Sequence, residues 1–161
     1  MDEPAIHIPN SVTDQWMSDH RFTDAARRFI HDAASRAGDR GMHCKLPPIL
    51  ILWAMIRWER KVGVLAIEEC GADLSQLERD TQVELESLPS GTWRDGVDLV
   101  HFKAAAKQAV EEAAKLGHNY VGSEHLVLAL TRDASDSVRR IFQKHGISTE
   151  KYTEAVRSVL G

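Results

Sequence analysis

Apolar residues recur along this chain at spacings of three and four, the period of a helix with one covered face. Phe22, Ala25, Ala26, Phe29, Ile30, Ala33 and Ala37 form the first such stripe. Thr23 or Asp24 stands where a cap is needed, and Gly38 and Gly41 mark the end. Pro47 and Pro48 follow at first-turn positions, which need no amide donor. The run "LPPILILWAMI", residues 46–56, is apolar on nearly every side and predicts a central, covered helix. A membrane-spanning helix needs roughly 20 such residues, so this run reads as buried in protein. After the charged break "RWERK", "VGVLAIEECG" reads as a short helix closed by Gly71. Leu74, Leu77, Thr81 and Leu85 then share one helical face.

"PSGTWRDGVD", residues 89–98, is rich in turn residues and reads as a linker. The helical pattern restarts beyond it, with Phe102, Ala105, Ala106, Ala109, Val110, Ala113 and Leu116 in a stripe ended by Gly117. Leu126, Val127 and Leu130 belong to the next helix, and Val138, Ile141 and Phe142 precede Gly146. Tyr152, Ala155, Val156, Val159 and Leu160 close the chain. The two halves share one plan. Gly41 and Gly117 lie 76 residues apart, and Gly71 and Gly146 lie 75 apart. This is the signature of an internal duplication with four helices per repeat. No run alternates with period two, so no sheet is expected. The predicted fold is all-α: two tandem four-helix repeats with pseudo-twofold symmetry. Its parts are a leader (1–21), a first repeat (22–88), a linker (89–97) and a second repeat (98–161), the repeats forming one domain. "SVTDQWMSDH" in the leader allows a short amphipathic helix, and the first ten residues are expected to be disordered.

Charge narrows the partners. The 161 residues carry 20 basic and 24 acidic side chains, net −4, and neither half is basic. A nucleic-acid or anionic-membrane footprint is therefore missing. Two cysteines, Cys44 and Cys70, argue against a disulfide framework and fit reduced thiols. The first ten residues lack the basic and apolar regions of a signal peptide. A cytoplasmic location is the expectation.

Two stretches carry a resemblance: "FTDAARRFIHDAASRAGDRG" (22–41) and "AAAKQAVEEAAKLGHNYVGSEHLVLALTRD" (104–133). They resemble the N-terminal domain of the Clp ATP-dependent unfoldases, the Clp repeat domain. The second signature is carried by Leu116, Gly117, His118, Asn119, Gly122, Ser123, Glu124, His125 and Leu126. The resemblance implies a non-catalytic module that binds clients or adaptors of a protein-unfolding and proteolysis machine. The partners it implies are a Clp unfoldase, peptidase or adaptor, or client proteins. A structural accessory that regulates assembly of a Clp protease core is the alternative, and an enzyme on a reused scaffold a third reading. In one branch of the family the glutamate of this motif, in both repeats, reads phosphorylated arginine. The first repeat departs here: "GMHCKLPPIL" places Pro47 and Pro48 at the serine and glutamate positions. No G-x-x-x-x-G-K-[ST] phosphate loop occurs, so the ATPase is expected to be absent and the domain to stand alone.

The motif also has a plainer reading. Ser123 can accept amide hydrogens as an N-cap, Glu124 then faces the positive end of the helix dipole, and Gly122 permits the turn. The functional expectation adds that Glu124 projects as an exposed carboxylate able to pair with a guanidinium or amine. His118 and His125 lie seven apart across a turn, which suits a structural pair better than metal ligands. His43 and Cys44 lack a second pair nearby, so neither a metal nor another cofactor is expected. No G-x-S-x-G elbow or comparable nucleophile setting appears. Trp53 is expected in the core, and Trp58 as a half-buried aromatic or an interface anchor. Trp16 and Trp93 are expected to pin the leader and linker to the body. The candidate binding residues are Glu124, Ser123 and Trp58.

Overall fold

Thr23 starts the first described helix. Its Oγ1 accepts the Ala26 amide at 3.1 Å, satisfying one of the donors a helix start leaves open. The structure, a computed structural model, describes residues 21–39, 48–58, 62–87, 97–132 and 136–161. These form α1 (Asp24–Asp39), α2 (Pro48–Trp58), α3 (Val62–Glu69), α4 (Leu74–Ser87), α5 (Val97–Lys115), α6 (Ser123–Thr131), α7 (Asp136–Lys144) and α8 (Thr149–Leu160). Pro48 is the first residue of α2, as its missing amide hydrogen allows. Gly38 does not end α1, which runs on to Asp39. Residues 1–20, residues 40–47 with His43 and Cys44, Trp93 and most of the segment 89–97 lie outside the described residues.

The packing obeys the duplication. Helix α1 packs on α2 as α5 packs on α6, and α2 packs on α4 as α6 packs on α8. Between repeats, α3 packs on α8 as α7 packs on α4, α3 on α6 as α7 on α2, and α2 meets α6 at the axis. The fold is all-α, two four-helix repeats related by a pseudo-twofold. Gly71 and Gly146 end equivalent helices in the left-handed region, at φ 93° and 69°. Strand-like pairing among the described residues is confined to one parallel bridge between Phe22 and Val121. There the Thr23 amide donates to the Val121 carbonyl at 2.9 Å, tying the entry of α1 to the turn before α6.

Helices α2 and α6 form the centre. Every residue from Ile49 to Ile56 is buried, as the all-round apolar pattern predicts. Trp53 belongs to this core, and its indole donates to Gln82 Oε1 at 2.9 Å. Residues 123–130 of α6 are buried too, although three of them are polar. Cys70 is buried at the end of α3, where burial pushes its thiol up. Leu77, Thr81 and Leu85 face inward from α4, and the Thr81 hydroxyl donates to the Leu77 carbonyl.

Candidate protein-binding site

The turn from α5 into α6 brings His118, Tyr120, Glu124 and His125 together. Gly117 takes φ 76°, which reverses the chain after α5. Tyr120 stacks on His118 with ring centres 5.1 Å apart and planes 11° from parallel. His118 Nδ1 lies 2.8 Å from His125 Nε2. The Gly122 amide donates to His125 Nδ1 at 2.9 Å. That bond decides the tautomer. With Nδ1 accepting, the proton of the neutral His125 ring sits on Nε2 and is donated to His118. Burial lowers the His125 ring to about 4; Glu124 pulls the other way, and His118 adds to the lowering.

Glu124 corrects an expectation. It is 3% exposed, not an exposed carboxylate. The physical reason is local. Its side chain folds back over Gly122, where a Cβ would meet Oε1 at 2.7 Å, and the Tyr120 hydroxyl donates to Oε2 at 2.8 Å. Burial first, then the bond to Glu124 and its charge, push the Tyr120 phenol up to about 12. Glu124 does lie in the first turn of α6, on the positive side of the dipole.

Ser123 corrects another. It is not the N-cap of α6; Gly122 is, in an extended conformation. The Ser123 hydroxyl instead accepts the Gly63 amide at 3.1 Å, capping the first turn of α3 in the other repeat. A Cβ on Gly63 would stand 2.7 Å from Ser123 Oγ, so the two helix starts touch only because residue 63 is glycine. The Gly63 carbonyl is taken by the Tyr152 hydroxyl at 2.7 Å. Trp58 is the last residue of α2, and its side chain lies outside the described residues.

His118, Glu124 and His125 are the group among the described residues whose ligand atoms, within 4.8 Å of one another, could hold a metal ion. The Gly122 bond works against that use, because it commits the His125 Nε2 lone pair to a proton. The half-buried His118, the buried His125 and the phenol–carboxylate bond make this turn a closely bonded joint between α5 and α6. No helix among the described residues is long and apolar enough to cross a membrane.

Two features escaped the sequence reading. Glu112 is a second buried anion, 3% exposed, at the edge of the α5 stripe. Its carboxylate accepts from Gln108 Nε2 at 2.6 Å and from Arg132 Nε, and Lys115 lies 3.6 Å away. Burial pushes that carboxyl up, but the bonds from Arg132 and Gln108 outweigh it and hold it below the usual range. Its four-residue spacing from Gln108 was the available signal. The other feature is an open groove of about 490 Å³ between α4 and α7, lined by Asp80, Val83, Glu84, Arg140, Ile141, Gln143 and Lys144. Arg140 donates to both oxygens of Glu84, at 2.8 and 3.2 Å, while Asp80 pairs with Lys144 and His145. Val83 stands 63% exposed at its rim. Such long-range pairing has no local signature.

Comparison with known proteins agrees with this architecture. Residues 21–145 and again 100–161 match the family described as the Clp repeat (R) N-terminal domain. The chaperone protein ClpB of Oceanobacillus iheyensis is 30% identical over 145 residues, covering 88% of this chain and 17% of that protein. The Bacillus subtilis negative regulator of genetic competence ClpC/MecB has the same identity and coverage. This chain thus spans about one-sixth of the length of these relatives. Among solved structures, the Candida albicans Hsp104 N-terminal domain superposes with TM-score 0.70 at 22% identity, covering 88% of this chain and 93% of that one. The N-terminal domain of the Arabidopsis thaliana chaperone ClpD gives 0.64 at 18%, covering 89% and 97%. By its sequence match across both repeats, the chain belongs to the Clp repeat (R) N-terminal domain family.

Proposed function

We propose that this chain is a non-catalytic protein-binding module that recognises clients or adaptors for a Clp-type unfolding or proteolysis machine in the cytoplasm. The observation that carries the reading is the family match over both repeats, 21–145 and 100–161, on a fold with an open inter-repeat groove. Docking would occur in a groove between helices or at the seam where the repeats meet. The repeat boundaries at 22–88 and 98–161 belong to the same reading. Within it, Glu124 is the recognition anion for a guanidinium or amine, Ser123 holds the start of α3 beside it through the Gly63 amide, and Trp58 is an aromatic anchor at the end of α2. The net charge of −4 adds weak steering toward basic segments.

Affinity capture from native lysate with partner identification tests this. Capture of an identified unfoldase, adaptor or client is the expected result. Capture of a peptidase without client would replace the recognition reading with one of assembly control. Tight nucleotide binding by calorimetry would overturn the non-catalytic reading. The phosphoarginine variant has its own test. Free phosphoarginine should raise the melting temperature of the wild type and not of Glu124→Ala, and no shift in the wild type ends that variant.

A further inference from the structure

The described residues hold two buried glutamates, and their surroundings differ. Glu112 is compensated by cations, with Arg132 and Lys115 both on its carboxylate. Glu124 is 3% exposed, and the donor the described residues offer its carboxylate is a neutral one, the Tyr120 hydroxyl. A buried anion held by a phenol has less stabilisation than one held by a guanidinium. Tyr120 itself is half-buried, and its ring is braced by stacking on His118. On the other side of the carboxylate, Oε1 lies against Gly122. The carboxylate therefore lies between the Gly122 backbone and the half-buried Tyr120 side chain.

We propose that Tyr120 is the specificity-determining residue of this joint: its hydroxyl is the internal counter-ligand of Glu124, and an incoming cation gains the carboxylate only by displacing it. This rests on the reading that Glu124 receives a cationic group. The consequence is selectivity by replacement. A donor that matches the phenol in strength, such as an amide or hydroxyl, gains nothing by entering. A guanidinium, which brings charge as well as donors, gains the difference. Burial first, and then the bond to Glu124, raise the phenol and keep its proton in place.

Calorimetric titration with a short arginine-containing peptide, and with the same peptide carrying citrulline, tests the proposal on the full chain. Tyr120→Phe keeps the ring stack and removes the competing hydroxyl. It is expected to bind the arginine peptide about tenfold more tightly than the wild type, the scale of one charge-assisted hydrogen bond no longer displaced. The citrulline peptide should bind all forms alike. In a Glu124→Gln background, Tyr120→Phe should change nothing, since its effect runs through the carboxylate. Unchanged or weaker arginine binding by Tyr120→Phe, with Glu124→Gln still weakened, overturns the role of Tyr120 alone. Equal binding by Glu124→Gln and wild type, or no binding by any form, overturns the cation-binding reading and this proposal with it. Near-ultraviolet circular dichroism on each variant confirms that the fold is retained.

Discussion

His118 Nδ1 and His125 Nε2 lie 2.8 Å apart, and the proton between them belongs to His125 because the Gly122 amide occupies its other nitrogen. A second proton on His125 would turn Nδ1 into a donor facing a donor. The native ring therefore titrates at about 4, against roughly 6.5 in an unfolded chain. Between those values the unfolded state binds more protons, so stability is present above about pH 6.5 and is lost as pH falls toward 4. The loss is on the order of 3 kcal/mol. Urea denaturation at about pH 7 and about pH 4.5 measures it. His125→Asn should be less stable than wild type at the higher pH and lose less on acidification. Equal losses in the two proteins would refute the assignment.

How far the sequence could foretell this joint depends on where each partner sits in the chain. The α2 core was legible because all-round apolarity has one physical outcome, burial. The duplication was legible because Gly71 and Gly146 need a left-handed conformation at equivalent helix ends. The closeness of His118 and His125 was foreseeable, since one turn and the first residues of α6 separate them. The fate of Ser123 and Glu124 was not. Local rules make a serine before "EHL" an N-cap and a nearby glutamate exposed. The burial of Glu124 needs the Tyr120 hydroxyl and the glycine fold-back to act together, and Ser123 is claimed by Gly63, 60 residues away. A helix start from the other repeat leaves no trace in a local window.

That contact gives the second prediction. Gly63→Ala adds a methyl that would meet Ser123 Oγ at 2.7 Å, its Cβ at 2.9 Å and its backbone carbon at 3.0 Å. Rotating the serine side chain cannot relieve the last of these, so α3 and α6 must separate. The cost should be about 2–3 kcal/mol, in the range of overpacked cores. Thermal melting checks it, and a variant as stable as wild type would show that the helix starts do not touch.

Glu112 separates a buried ion pair from a surface one. Arg132 and Lys115 both reach its carboxylate, but the Lys115 side chain is 57% exposed, and its 3.6 Å contact adds little beyond what water supplies. Arg132 carries the hydrogen-bonded contact that holds the carboxyl below its usual range. Arg132→Ala should cost about 2–3 kcal/mol, because a buried carboxylate is left short of its cation. Lys115→Ala should cost less than about 1 kcal/mol. Chemical denaturation of the two variants gives the order, and a reversed order would contradict it. The linkage has a sign as well. A carboxyl depressed in the native state contributes stability above its unfolded range near 4.5 and loses it as pH falls. Arg132→Ala should thus narrow its gap to wild type in acid.

Tyr152 joins the repeats through one atom. Its side chain is fully buried, and its hydroxyl donates to the Gly63 carbonyl at 2.7 Å. Burial pushes the phenol well above its ordinary value, so the bond is made by a neutral group at any pH the fold survives. In the 75-residue register of the duplication Tyr152 corresponds to Leu77, an apolar side chain that is buried with no such bond. The position therefore needs bulk in both repeats and a hydroxyl in one. Tyr152→Phe keeps the bulk, and should cost about 1–1.5 kcal/mol, the net worth of one buried hydrogen bond. Tyr152→Ala removes the ring as well and should cost about 3–5 kcal/mol, as large-to-small core changes do. In urea denaturation the Phe variant should shift the midpoint without altering the slope, since the surface exposed on unfolding is unchanged. A Phe variant that loses as much as the Ala variant would mean that the hydroxyl, rather than the packing, holds α8 against α3.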